Sequence, residues 1–149
     1  MLIGRTTIEH LTSLPWLHLA DALPSTCETF PWKQLSASDR ASIQQQQTES
    51  PWYPDVLCPF KEEAQIDPMT SIGLRYRDQV IGWMITHRIA KDTLRYTSLF
   101  VKQDLQKVGY AIPLLARAIR LQIEAKIATH STYTVLLNNT PMMNFVYRR

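Results

Sequence analysis

The sequence predicts an α/β (α+β) fold, a mixed and mostly antiparallel central sheet flanked by helices, and three observations carry that prediction. Ile72 to Arg77 and Val80 to Ile89 are rich in β-branched and aromatic residues and free of helix breakers, so they read as a hairpin closed by a tight turn at Asp78-Gln79. Asp92 to Val101 reads as a third strand, with Leu94, Tyr96, Ser98 and Phe100 on one face and Thr93, Arg95, Thr97, Leu99 and Val101 on the other. Both faces become apolar toward Val101, as a central strand requires. Tyr110 to Lys126 then carries Ile112, Leu115, Ile119 and Ile123 at helical spacing, and Tyr133 to Leu137 follows as another strand. A strand, a long helix and a strand in succession describe a crossover on a mixed sheet.

The remaining elements are placed around that unit in chain order. Residues 1–25 place Ile8, Leu11, Leu14, Leu17 and Leu19 roughly on one helical face, interrupted by Pro15, which predicts a broken N-terminal helical extension. Cys27 to Phe30 is β-leaning and is expected as a first strand. Ser36 to Asp39 offers capping oxygens ahead of a stretch without Gly or Pro, so Ser38 to Thr48 is expected as a polar, exposed helix. From Ser50 to Pro68, four prolines interleave with Trp52, Tyr53 and Phe60, the composition of an irregular loop packed on the domain. Asn139-Thr140-Pro141 opens a final helix.

At 149 residues, with 45% hydrophobic and 19% charged, the chain suits a single domain over residues 1–149 with a sizeable core. The formal charge of +3 is spread among acids, so nucleic-acid binding is not required. Cys27 and Cys58 lie far apart, with no CxxC and no His at metal spacing, which suits free thiols in a reducing cytoplasm and predicts no metal site. No run of about 18 apolar residues and no secretory signal pattern occurs, so the expectation is a soluble cytoplasmic protein without membrane spans.

The stretch that carries chemistry runs from Val101 to Ala111, joining the end of a central strand to the start of the amphipathic helix. Free amides and the positive end of the helix dipole in such a turn bind phosphate without needing a side-chain charge. Gly109 and Ala111 are small enough to let a ligand approach, and Lys107 adds charge at the rim. Gln106-x-x-Gly109-x-Ala111 resembles the Q/R-x-x-G-x-G/A motif of the GNAT superfamily of N-acetyltransferases. The resemblance covers residues 70–149 through the hairpin, the strand to Val101, the helix, the strand to Leu137 and Asn139-x-x-Met142-x-x-Phe145.

The resemblance implies acetyl-CoA as cosubstrate and an amine as acceptor. Gln106, Lys107, Val108, Gly109, Tyr110 and Ala111 would hold the CoA pyrophosphate. The backbone of Leu99, Phe100 and Val101 would pair with the pantetheine arm, and Asn139 would sit beside it. Where the family has a tyrosine as general acid this chain has Val146, and the neighbouring Tyr147 is the substitute candidate. The family normally continues with a final pair of strands. That place is left either to a shortened sheet, to residues before Cys27 or to a partner subunit, which makes a homodimer an open expectation.

Acid and base candidates are sparse. Glu62 and Glu63 stand in the aromatic loop, and Glu62 is carried as a catalytic candidate against the reading of a solvated charge. His87, at the end of the second hairpin strand, is weighed against the role of a satisfied structural histidine. Trp52, Tyr53, Phe60 and Trp83 suit either an acceptor wall or the core. Two rivals to an acetyltransferase stay open: a module that holds acyl-CoA without turnover, and an interaction domain that has the fold without the ligand.

Overall fold

A computed structural model of the chain describes residues 2–102, 109–126 and 128–135, with the backbone alone for residues 2–4, 134 and 135. The elements are β1 (Leu2–Thr7), α1 (Ile8–Thr12), β2 (Cys27–Pro31), α2 (Ala37–Glu49), β3 (Ile72–Tyr76), β4 (Gln79–Ala90), β5 (Thr93–Val101), α3 (Ala111–Ala125) and β6 (His130–Val135), with short 3-10 turns between them. The six strands form one sheet in the order β1-β6-β5-β4-β3-β2. All neighbours are antiparallel except β5 and β6, which run parallel across the α3 crossover.

Local chemistry explains most boundaries. Arg77 and Asp78 both adopt left-handed backbone angles, φ 48° and 66°, the pattern of a two-residue type I′ hairpin turn. Tyr76 therefore pairs with Gln79, and the turn lies one residue earlier than the sequence suggests. The Ser36 side chain caps α2 by accepting from the Asp39 amide at 2.9 Å. Gly82 sits where β4 and β5 approach closely, since a Cβ there would lie 2.5 Å from the Phe100 carbonyl oxygen.

The first residues correct the expected helical extension. Leu2–Thr7 is a strand paired with β6, and only Ile8–Thr12 and the 3-10 turn Leu17–Asp21 are helical. Of the ways to complete the sheet, residues before Cys27 supply a strand beside β6. The expected strand end at residues 136–137 and the helix after Asn139 lie outside the described residues.

The two faces of the sheet are covered differently. On one face Phe30, Trp32, Ile43, Tyr53, Trp83, Ile85 and Phe100 form a core under α2 and the loop of residues 50–68. Trp83 lies 5.1 Å from both the Tyr53 and Phe100 ring centroids, so the loop aromatics serve as core. Desolvation, with Cys58 beside it, pushes the Tyr53 phenol up to about 12. On the other face Leu114 and Ala118 of α3 meet Ile72, Leu74, Ile81, Met84 and Val101, while Ile119 packs with Leu11 and Leu14.

Candidate functional site

The decisive local feature is an irregularity in β5. Ile85 pairs with Ser98 while Thr86 pairs with Tyr96, so Thr97 is an extra residue, a β-bulge. The bulge ends the alternation expected along this strand. Arg95, Thr97, Ser98 and Phe100 turn toward the loop of residues 50–68, through contacts with Glu62, His87, the Leu57 carbonyl and the aromatic core. Tyr96, Leu99 and Val101 turn toward α3.

The strands part at the same place. Parallel pairing of β5 with β6 covers Thr93 to Tyr96 and stops at the Tyr96–Tyr133 pair, although β5 continues to Val101 and β6 to Val135. The Lys102 amide donates to the Ile81 carbonyl at 2.7 Å, so Phe100 directs its own N–H and C=O at β4. By alternation the N–H and C=O of Leu99 point away from β4, into the gap that opens toward β6. No described residue pairs with Leu99 on that edge.

Beyond β5, α3 begins with Tyr110 and Ala111 packed against the core of Ile72, Leu74, Ile81, Met84 and Val101. Gly109 has φ 79°, a left-handed angle that glycine adopts without strain, and among the described residues no atom stands within 4 Å of the place a Cβ would take. Tyr110 is the N-cap residue of α3 and makes no side-chain cap hydrogen bond; the first turn contains no acid. The Ala111 and Ile112 amides belong to a first turn that has no intrahelical acceptor, and Pro113 has no amide to satisfy. This end therefore presents small residues, amide donors and a positive dipole end.

A parallel pair that opens at a bulge, joined by a crossover helix, decides the architecture when set beside solved structures. A GCN5-related N-acetyltransferase from Kribbella flavida matches over 89% of this chain and 47% of its own, at 14% identity and a TM-score of 0.55. Ard1 from Thermoplasma volcanium matches over 81% of this chain and 79% of its own, at 14% identity and a TM-score of 0.56. Arabidopsis thaliana Naa50, in complex with the bisubstrate analogue CoA-Ac-MVNAL, matches over 81% and 80%, at 13% identity and a TM-score of 0.56. The chain has the GNAT fold. It spans about half the length of the Kribbella flavida protein, 47%. The sequence matches no family model and no curated protein.

Within this GNAT fold the expected site residues fall into three groups. Leu99, Phe100 and Val101 line the edge of β5, with Leu99 facing the gap and Phe100 bonded into the sheet. Gly109, Tyr110 and Ala111 stand at the start of α3. Gln106, Lys107, Val108, Asn139 and Tyr147 lie outside the described residues.

The two acid and base candidates of the loop side are both engaged. Glu62 has its carboxylate paired with Arg95 Nη2. His87 is 1% exposed, with Nδ1 at 2.6 Å from Thr97 Oγ1 and Nε2 at 2.9 Å from the Lys61 carbonyl.

Several residues that build the site carry no motif. Gln122 lies fully buried on α3, where the helical pattern pointed to Ile112, Leu115, Ile119 and Ile123 as the inner face; of these four Ile119 is buried. Its Oε1 accepts from the Tyr96 hydroxyl at 2.6 Å and from Ser131 Oγ at 2.8 Å, tying α3 to both strands just before they part. Burial pushes the Tyr96 phenol far above its ordinary range, with the Asp67 carboxylate adding to the effect. Asp67 is itself buried, accepting from the Thr70 amide at 3.0 Å and hydroxyl at 2.6 Å, a turn whose only sequence signal is Asp67-Pro68-x-Thr70. Among the described residues no group of three His, Cys, Asp or Glu side chains is placed to hold a metal ion, and no helix is long and apolar enough to cross a membrane.

Proposed function

We propose that the protein transfers an acetyl group from acetyl-CoA to an amine by direct attack within a ternary complex, without a covalent enzyme intermediate. The observation that carries this reading is the gap between β5 and β6, which opens at the Thr97 bulge and leaves the Leu99 amide and carbonyl facing it. A pantetheine arm is an amide chain, and amides complete an unpaired strand edge by the same hydrogen bonds as a neighbouring strand. In this reading the amide donors at the start of α3, Gly109 to Ile112, receive the pyrophosphate of such a ligand, supported by a first turn without an acid and an N-cap residue that makes no side-chain cap hydrogen bond. Gln106, Lys107 and Val108 complete that seat in this reading, and Asn139 and Tyr147 keep their expected places beside the arm and the leaving thiolate.

Catalysis in this scheme is mainly positioning. A backbone N–H aimed at the thioester oxygen stabilises the charge that develops there as the amine attacks, and the Leu99 amide occupies that role. The amine proton leaves to solvent or to a general base on the acceptor side, where the Glu62 carboxylate is the candidate once its pairing with Arg95 opens. The test is release of free CoA thiol from acetyl-CoA in the presence of a polyamine, a peptide N-terminus or a drug-like amine in turn. Acceptor-dependent thiol release is the expected result, and its absence with all three classes counts against turnover.

One observation favours the second reading, an acyl-CoA-binding module. Glu62 and His87, the two described acid and base candidates, are both committed to internal partners. Saturable binding of acetyl-CoA without thiol release would select that reading.

A further inference from the structure

We propose that the buried His87 together with Thr97 forms a strut that pins the β5 bulge, and through it aims the Leu99 amide into the gap; the inference rests on the acyl-transfer reading for its kinetic consequence. Thr97 is the residue that the ladder leaves out, so nothing in the β4–β5 pairing itself fixes where the bulge sits. A slip of the bulge past Leu99 would exchange the two edges, turning the Leu99 amide toward β4 and the Phe100 amide toward the gap. The side chains around Thr97 oppose that slip.

The bonds form a closed circuit. The Lys61 carbonyl can only accept, so His87 Nε2 carries the hydrogen that reaches it at 2.9 Å. In the neutral ring His87 Nδ1 is then an acceptor, and the Thr97 hydroxyl, 2.6 Å away, is its donor. The Arg95 carbonyl lies farther from the same hydroxyl, at 3.2 Å. Arg95 Nε donates into Thr97 Oγ1 at 3.0 Å, and Arg95 Nη2 returns to Glu62, the neighbour of Lys61. Both ring nitrogens of His87 are used and the ring is 1% exposed, so its orientation is fixed by the loop on one side and the bulge on the other. His87 and Thr97 touch no reacting atom in this scheme. They are positioning residues.

The test compares Thr97→Val, which removes the hydroxyl at nearly constant shape, with Thr97→Ser, which retains it. The first readout is the Leu99 amide resonance of the full chain without cosubstrate. It moves in Thr97→Val and stays at the wild-type position in Thr97→Ser. The second readout is turnover: Thr97→Val lowers kcat by about tenfold or more with KM for acetyl-CoA within about twofold, and Thr97→Ser restores it. A folded Thr97→Val protein with an unmoved Leu99 resonance overturns the proposal. If the wild type turns over no acetyl-CoA, acyl transfer fails while the Leu99 resonance still decides the strut. If Thr97→Val does not fold, the imidazole nitrogen spectrum of wild-type His87 decides: hydrogen on Nε2 with an accepting Nδ1 supports the strut, and hydrogen on Nδ1 alone overturns it.

Discussion

Gln122 shows how a single buried side chain joins the parts of the site. Its amide receives two hydroxyls, from Tyr96 and Ser131, and its Nε2 donates to the Ala128 carbonyl at 3.3 Å, so one residue of α3 serves both strands and the loop from α3 to β6. Removing it leaves those groups in a site closed to water, at about 1–3 kcal/mol for each buried polar group left unpaired. Gln122→Leu is therefore expected to destabilise the fold by about 3 kcal/mol in urea unfolding, well beyond the effect of a surface substitution. Residue type alone points Gln122 outward, while its spacing of seven from Leu115 and three from Ile119 sets it on their face of the helix. The spacing prevails because a satisfied amide is tolerated inside, and its partners sit far away along the chain, on β5 and β6. His87 is the reverse case: a lone strand histidine reads most simply as a bonded structural residue, and it is bonded at both nitrogens.

At the scale of elements, hydrophobic period and turn chemistry placed β2 to β5, α2 and α3 closely, because each is a local property of a few residues. The position of the β3–β4 turn shifted by one residue because Arg77 and Asp78 adopt left-handed angles without glycine. The bulge at Thr97 was not legible, since a period of two continues on paper through Tyr96, Thr97 and Ser98 while the register with β4 breaks there. The strand Leu2–Thr7 was hidden for a related reason. Its partner is β6, on the far side of the sequence, and the apolar spacing of Ile8, Leu11 and Leu14 next to it drew the whole segment toward helix. Of the candidate site, the strand-to-helix corner was visible through Gly109 and the helix that follows. The parting of β5 from β6 is a relation between strands and has no signature in either one.

At the scale of the molecule, ion pairs among the described residues hold outer elements to one another, and three of them are Asp39 of α2 with Arg75 of β3, Glu63 of the loop with Arg40 of α2, and Asp21 with Arg120 of α3. Hydrogen bonds from the arginines hold all three carboxyls below their ordinary range. A carboxyl lowered in the folded state lends stability above its unfolded value, near 4, and loses it as the pH falls through the lower folded value. Stability is thus expected to decline below about pH 4, and Asp39→Asn, at the least exposed of the three pairs, flattens that decline in acid unfolding. Arginine loses no proton in this range.

The central claim concerns the gap between β5 and β6 as the seat of an acyl-CoA, with its phosphate end at the start of α3. Isothermal titration of acetyl-CoA into the wild type, Gly109→Ala and Gly109→Glu tests it most directly. Both variants carry the same strained left-handed angle, φ 79°, but only glutamate brings bulk and negative charge to the amide donors. Binding by the wild type is expected, retained or modestly weakened in Gly109→Ala and abolished in Gly109→Glu; a folded wild type that takes up no acetyl-CoA, or a Gly109→Glu variant that binds as well as Gly109→Ala, would rule this seat out.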